Sequence, residues 1–285
     1  MDTALHSRSR TVVIGREQPF CIIGERINPT GRKTFQAQLQ VDDLSQLEVD
    51  VAEQVAGGAD MLDVNVGDPL ADEVGLMGRA IASLQELTDL PLCIDSSIVE
   101  ALEAGLAVYD GKALVNSVTA EDDRLEAILP LVAKHGAAVI GLANAEDIPM
   151  EPERRLENAR KIVSVAGDYG IKPQDVVIDP LAMPVGAEPR AVTMFVEAVR
   201  LIRDELGVNT TCGASNTAFG LPRRSTLGAA FLSIAQSHGL TSAIMDARSP
   251  ECVDAVRAGD LLLGRDEWGA RWIASFRESQ AAAPS

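Results

Sequence analysis

Short carboxylates and carboxamides recur in this chain at one kind of position, directly behind a run of apolar residues. The instances are Leu62-Asp63-Val64-Asn65, Ile94-Asp95-Ser96-Ser97, Val115-Asn116-Ser117, Ile178-Asp179-Pro180, Gly213-Ala214-Ser215-Asn216 and Met245-Asp246. Taken singly, each is a turn or helix-cap residue of the kind that follows any strand. Together they read as one shared site, provided the fold brings them to one place. The set holds no histidine and no cysteine. A carboxylate accepts paired N–H donors, and an Asn side chain serves donor and acceptor edges alike. Such a ring suits a flat heterocycle that presents a guanidine-like edge beside a carbonyl. Asp63, Asp95 and Asp179 are also hard oxygen ligands of the kind magnesium takes, although the interleaved Asn residues favour the heterocycle. Ser96, Ser97, Ser117 and Ser215 have no neighbouring base and GxSxG is absent, so no serine nucleophile is expected.

The elements that must position these residues are eight short apolar runs: Phe20–Gly24, Met61–Asn65, Leu92–Asp95, Ala113–Asn116, Ala138–Leu142, Val176–Asp179, Thr210–Gly213 and Ala243–Met245. Such runs fit parallel strands covered on both faces. Amphipathic helical patterns separate them, one through Val192, Phe195, Val196, Val199, Ile202 and Leu206, another through Leu125, Ile128, Leu129 and Val132. Pro152 marks the first turn of a third. The count predicts an α/β protein with a single (β/α)8 TIM barrel, whose strand ends all open into one mouth. A doubly wound open sheet is the alternative, but the GxGxxG fingerprint is missing. Residues 1–285 then form one domain: an N-terminal extension over 1–19, the barrel over 20–264 and a tail over 265–285. Thr11–Glu17 alternates weakly, as a short hairpin plugging the barrel floor would, and Gln280–Ser285 is expected to fray.

The 285 residues suffice for one such barrel. A net charge of −17 repels phosphate backbones and anionic lipid, so neither nucleic acid nor membrane is an expected partner. No apolar stretch reaches a membrane-spanning length. Met1–Arg10 is polar and basic without an apolar core, so the cytoplasm is the expected location. Cys21, Cys93, Cys212 and Cys252 lie far apart with no CxxC pair, so they are read as free thiols and no metal site is expected. His135 and His238 fall late in helices, before glycines, where they would cap the C-terminus.

The segments Gly24-Glu25-Arg26-Ile27-Asn28-Pro29-Thr30-Gly31-Arg32-Lys33 and Gly58-Ala59-Asp60-Met61-Leu62-Asp63-Val64-Asn65-Val66-Gly67 resemble the pterin-binding family. Within it they are similar to the methyltetrahydrofolate:corrinoid methyltransferases and the folate domain of cobalamin-dependent methionine synthase. The resemblance runs on through Ile94-Asp95-Ser96, Val115-Asn116-Ser117, Ile178-Asp179-Pro180-Leu181, Ser215-Asn216 and Phe219-Gly220-Leu221-Pro222-Arg223-Arg224. It implies a dihydropteroate-synthase-like barrel in which Asp95, Asn116 and Asp179 hydrogen-bond the pterin, with Asp63 and Asn65 supporting the floor. Asn216 would swing toward the position-5 nitrogen, beside Ser215, and Arg224 would stand near the mouth by the glutamate tail or the ring. Arg26 and Asn28 would line the first loop or support the fold. Asn216, Asp95 and Asp179 are the expected catalytic residues. Ala214 and Ala218 stand where relatives carry a larger aliphatic and a serine.

The same resemblance implies a methyltransferase of one-carbon metabolism, with tetrahydrofolate and 5-methyltetrahydrofolate as substrates and a corrinoid as methyl donor or acceptor. The cobalt-ligating DxHxxG motif is missing, so the corrinoid would arrive on a separate corrinoid protein. A role in a demethylation pathway fits one direction of transfer, and a homodimer is the expected assembly. Two alternatives stand beside this: a dihydropteroate synthase-like enzyme, whose Ser-Arg-Lys segment is replaced here by Ala214-Ser215-Asn216-Thr217, and a non-catalytic folate-binding module.

Overall fold

In the computed structural model, which describes residues 1–282 with side chains through 277, eight parallel strands form the wall of a barrel. A hairpin precedes them, β1 (Thr3–His6) against β2 (Thr11–Ile14). The wall is β3 (Cys21–Ile27), β4 (Met61–Val64), β5 (Leu92–Asp95), β6 (Leu114–Val118), β7 (Ala138–Leu142), β8 (Val176–Asp179), β9 (Asn209–Thr210) and β10 (Ser242–Met245), in the order β10-β3-β4-β5-β6-β7-β8-β9. The seam between β9 and β10 is closed by a parallel bridge from Gly213 to Ile244 and by Ile244 N–H donating to the Cys212 carbonyl at 2.8 Å. Three strands, β5, β7 and β8, have both bounds where their apolar runs begin and end. β9 is shorter than the Thr210–Gly213 run suggests, because the chain leaves the β8 ladder after Thr210 and continues only through single bonds.

The helices are α1 (Lys33–Leu39), α2 (Gln46–Gly57), α3 (Glu73–Leu87), α4 (Val99–Val108), α5 (Asp122–His135), α6 (Pro152–Asp168), α7 (Ala191–Leu206), α8 (Arg224–His238), α9 (Pro250–Leu262) and α10 (Ala270–Ala282). The apolar stripes predicted for α5 and α7 are buried, and Pro152 opens α6. α10 corrects the expectation of a frayed end as far as Ala282; residues 283–285 lie outside the described residues. His238 Nδ1 meets the Ile234 carbonyl at 2.8 Å at the end of α8, but His135 turns to Glu103 at 3.3 Å instead of capping α5. All four cysteines are free, three of them buried. No helix among the described residues is long and apolar enough to cross a membrane.

Two apolar layers hold the fold. The larger lies between strands and helices and takes residues such as Ile22, Leu62, Ile94, Val115, Val139 and Ile178. The smaller fills the barrel: Ile23, Met61, Cys93, Leu114, Ile140 and Val177, closed below by Leu5 and Ile14 of the hairpin. Leu5 and Ile14 have no exposed surface, so an N-terminal hairpin does plug the floor. It spans residues 3–14, however, and Thr11–Glu17 supplies only its second strand instead of forming the whole hairpin. Strand side chains alternate between faces. Counting in twos from Ile23, Met61, Cys93, Leu114, Val177 and Ile244 leads to Glu25, Asp63, Asp95, Asn116, Asp179 and Asp246. The interior of the barrel is thus apolar to its last layer, and that layer is acidic and amidic on these six strands, whereas Ile140 of β7 leads to the apolar Leu142.

Candidate active site

The top layer opens into a cavity of about 330 Å³ at the mouth, lined by Glu25, Arg26, Asn28, Asp63, Asp95, Asn116 and Asn216, with Arg32, Asp246 and Arg248 at its edge. Its size suits a bicyclic heterocycle. Asp63, Asp95, Asn116 and Asn216 are brought together here as the sequence predicts. Asn65 stands behind them. Its Nδ2 donates to Asp95 at 2.9 Å while its Oδ1 accepts from Gly67 N–H at 2.9 Å, so its amide is spent on holding Asp95 and the turn. Asn116 Nδ2 donates to Asp63 at 3.0 Å.

Two irregularities of the wall aim these side chains. The β3–β4 register shifts between Gly24 and Ile27, and the β6–β7 register shifts between Asn116 and Val118. Bulges of this kind turn a side chain at a barrel rim. Here they lie beside Glu25 and Asn116.

Asp179 is not among the residues lining the cavity. Its carboxylate accepts from Leu181 N–H at 2.6 Å and from Gly213 N–H, which ties the β8 loop to the β9 loop. Arg155, fully buried, donates to the carbonyls of Pro149, Pro180 and Leu181 and fixes the same loop from beneath. Ser215 and Arg224 line a second cavity of about 240 Å³, which shares Glu25 and Asp246 with the first and has Ala214, Ala218, Gly228, Leu232 and Met245 on its walls. Arg224 is exposed on the first turn of α8 and donates to the Ser215 carbonyl at 3.0 Å.

Burial dominates the electrostatics. It pushes the Asp95 carboxyl up to about 6, against the pull of the Asn65 bond, and the Asp179 carboxyl up to about 7, against its two backbone N–H donors and Arg155. Asp63 is raised well above the carboxylate range by burial and then by the charge of Asp95. Glu25 is raised as well, by burial first, while the Ser215 hydroxyl pulls it down. Asp246 moves the other way: burial raises it, but the bonds from Arg248 outweigh that. Titratable groups shifted by desolvation in one cleft mark a functional site. The magnesium reading fares less well, since Asp179 is turned to backbone donors. Among the described residues no group of three or more His, Cys, Asp and Glu is arranged to hold a metal ion.

Donors are present too. The Asn216 amide makes no hydrogen bond among the described residues, whereas the Arg26 Nε is buried and turned toward Asp50 at 3.8 Å. Asn216 can lie so close to the backbone only because residue 213 is glycine: a Cβ there would stand 2.9 Å from its Nδ2. Glu25 and Arg248 were missed by the strand-end reading, whereas Asp246 stood among the strand ends without a role of its own. Counting two on from Ile23 would have found Glu25.

Comparison with known proteins supplies the context. A family model described as pterin binding enzyme matches residues 24–246. A methylcorrinoid:tetrahydrofolate methyltransferase of Eubacterium limosum is 29% identical over 268 residues, covering 91% of this chain and 97% of that one. The methionine synthase of Mycobacterium tuberculosis is 31% identical over 261 residues, but that match takes in only 22% of its length. Among solved structures, a dihydropteroate synthase of Yersinia pestis superposes with a TM-score of 0.68 over 92% of this chain and all of that one, at 15% identity. One from Xanthomonas albilineans, in complex with 7,8-dihydropteroate, gives 0.65 over 91% and 98% at 21% identity. These two likenesses speak for the barrel alone.

Proposed function

The chain belongs to the pterin-binding enzymes, and on that premise we propose that it is a methyltransferase moving a methyl group between the position-5 nitrogen of tetrahydrofolate and the cobalt of a corrinoid carried on a separate protein. The observation that carries this reading is the polar top layer, with carboxyls and amides set over an apolar barrel in a cavity of heterocycle size. The named relative that matches nearly end to end supports the reaction class.

The pterin's guanidine-like edge offers N–H donors to Asp95 and to the Asn116 carbonyl oxygen. Asp63 and Asn65 hold those two through the cross-strand bonds. Asp179 completes the set of carboxyls from behind Gly213. The Asn216 amide faces the acceptor positions of the ring, and Arg224 at the rim suits the glutamate tail. The bound corrinoid supplies the cobalt that gives or takes the methyl. What this chain contributes is a fixed pterin and a dipole at the nitrogen as its charge changes. A departing amine needs such a donor, and no histidine lies among the residues lining the cavity.

A corrinoid protein would reach the methyl through the mouth. Leu70, Ile98, Ile148 and Phe219 expose apolar side chains on the connections that follow β4, β5, β7 and β9, which supports docking there. The free cysteines suit a reducing compartment, so a cytoplasmic enzyme, assembled as a homodimer of single-domain chains over residues 1–285, completes the proposal. The test is spectroscopic: cob(I)alamin, free or protein-bound, is mixed with methyltetrahydrofolate and enzyme, and the cobalt oxidation state is followed by absorbance. The reverse reaction is run from methylcobalamin and tetrahydrofolate. Inertness in both directions with every corrinoid sinks the methyltransferase reading, and folate binding without turnover would leave a binding module.

A further inference from the structure

We propose that Glu25 is a positioning residue for the methyl-transfer step: it holds the Ser215 side chain, and through it the backbone turn that presents the Asn216 amide. This rests on the function proposed above for the same site. Ser215 Oγ donates to Glu25 Oε1 at 2.7 Å across 190 residues of sequence. From the other side, Arg224 Nη2 donates to the Ser215 carbonyl at 3.0 Å. Ser215 is therefore gripped at its side chain by β3 and at its carbonyl by α8.

The side chain of the residue that follows it has no such grip, although that residue's carbonyl accepts from Phe219 N–H at 3.1 Å. Asn216 ends a single 3₁₀ turn over Ala214–Asn216, closed by its own N–H to the Gly213 carbonyl at 3.2 Å, and its side chain has no hydrogen bond among the described residues. Where the amide points is decided by the turn. Backbone bonds from Thr217 N–H to the Ala214 carbonyl at 3.3 Å and from Phe219 N–H to the Asn216 carbonyl also close that turn, and Ser215 is the residue by which a side chain from outside holds it. The position of Glu25 supports a role of this kind. Its carboxyl is largely buried between the two cavities, at the β3 bulge, and faces Asp246 from the β10 loop, Arg248 from the same loop, Arg224 from α8 and Asp63 from β4. Burying a carboxyl beside Asp246 is unfavourable, and an apolar side chain would fill the space at less cost. What an apolar residue would lack is an acceptor for Ser215.

The test uses the full chain as Glu25→Ala, Glu25→Gln, Ser215→Ala and the double variant Glu25→Ala/Ser215→Ala. Folate binding by titration and turnover with cob(I)alamin are measured across pH. A misplaced catalytic group costs on the order of 100-fold, so Glu25→Ala and Ser215→Ala should each lower turnover by roughly 10- to 100-fold with folate affinity within about threefold. The double variant should be no worse than the poorer single one. Glu25→Gln should keep most of the turnover, because its amide oxygen accepts the same hydroxyl. Losses that multiply in the double variant would overturn the inference. So would a Glu25→Gln enzyme as poor as Glu25→Ala with its acid limb lost, which would make the carboxyl itself the acid. A crystal structure of ligand-free Glu25→Ala decides the clamp even where turnover is absent: a Ser215–Asn216 turn that has not moved overturns it, whatever becomes of the methyltransferase reading.

Discussion

Asp63 on β4 accepts a hydrogen bond from Asn116 Nδ2 on β6 at 3.0 Å, so the bond passes over β5, which lies between the two strands. It orients the Asn116 amide. With one Nδ2 hydrogen on Asp63, the carbonyl oxygen is turned away from Asp63 and remains free to accept from a ligand. Asn116→Asp would set a second carboxyl against the buried Asp63. Such a pair cannot both ionise at close range. The variant should bind folate at least about 10-fold more weakly at pH 7, the size of one lost charge-assisted bond. Equal affinity in a titration would remove Asn116 from the pterin contacts.

Folate binding should need no metal. Tetrahydrofolate and methyltetrahydrofolate are expected to bind in the presence of a chelator as they do without it, measured by isothermal titration. A signal that disappears with chelator would return Asp63 and Asp95 to the role of ion ligands.

Affinity should depend on pH through Asp95, whose carboxyl burial has pushed up to about 6. The pterin's N–H edge needs an acceptor, so the ligand binds the ionised form. Affinity should be flat above about pH 7 and fall by up to about tenfold per pH unit below 6. Asp95→Asn should bind more weakly and lose that slope. A slope retained in the variant would assign it to another group.

Loss of the Asn216 amide should appear in the chemical step. An interaction that strengthens as charge changes lowers the rate when removed, with little effect on ground-state affinity. Asn216→Ala is expected to lose roughly 10²–10³ in turnover while folate affinity falls by less. Equal losses in both would make Asn216 an ordinary contact.

The stability of the ligand-free protein should reflect Asp179. Its folded-state carboxyl titrates at about 7, above the unfolded value of 3.8, because burial disfavours the charge. A raised acid contributes stability that is complete below pH 3.8 and lost as pH rises through 7. Heating or urea curves taken from pH 5 to pH 8 should show wild type weakening, and Asp179→Asn should show a smaller decline. A parallel decline would mean that Asp179 is ionised at little cost.

How far the sequence discloses this site depends on the range of the interaction. The runs Leu92–Asp95 and Val176–Asp179 end where their strands end, because a buried parallel strand must be apolar along its length and closes on its first carboxylate. The acidic layer is legible for the same reason, as the next inward position after each apolar one. Glu25 is not legible as a clamp, since its partner is 190 residues away and neither residue's neighbours announce the pairing. The place of Asp179 behind Gly213 likewise depends on backbone donors in two loops, which no side-chain pattern records. α10 has too weak an apolar stripe to separate it from a loose tail.

The seam between β9 and β10 bears on how this protein opens. β9 is two residues long, and its seam with β10 has few backbone rungs, supplemented by the Thr241 and Ser242 hydroxyls, which both donate to the Thr210 carbonyl, at 2.9 and 3.1 Å. A barrel wall exchanges its amide protons first where fewest rungs must break together. Deuterium should therefore enter at Cys212–Asn216 before it enters β4 to β8. The residue proposed for the chemical step then rides on the segment expected to open first, and it can shift with bound ligand while the strands proposed to hold the pterin stay closed.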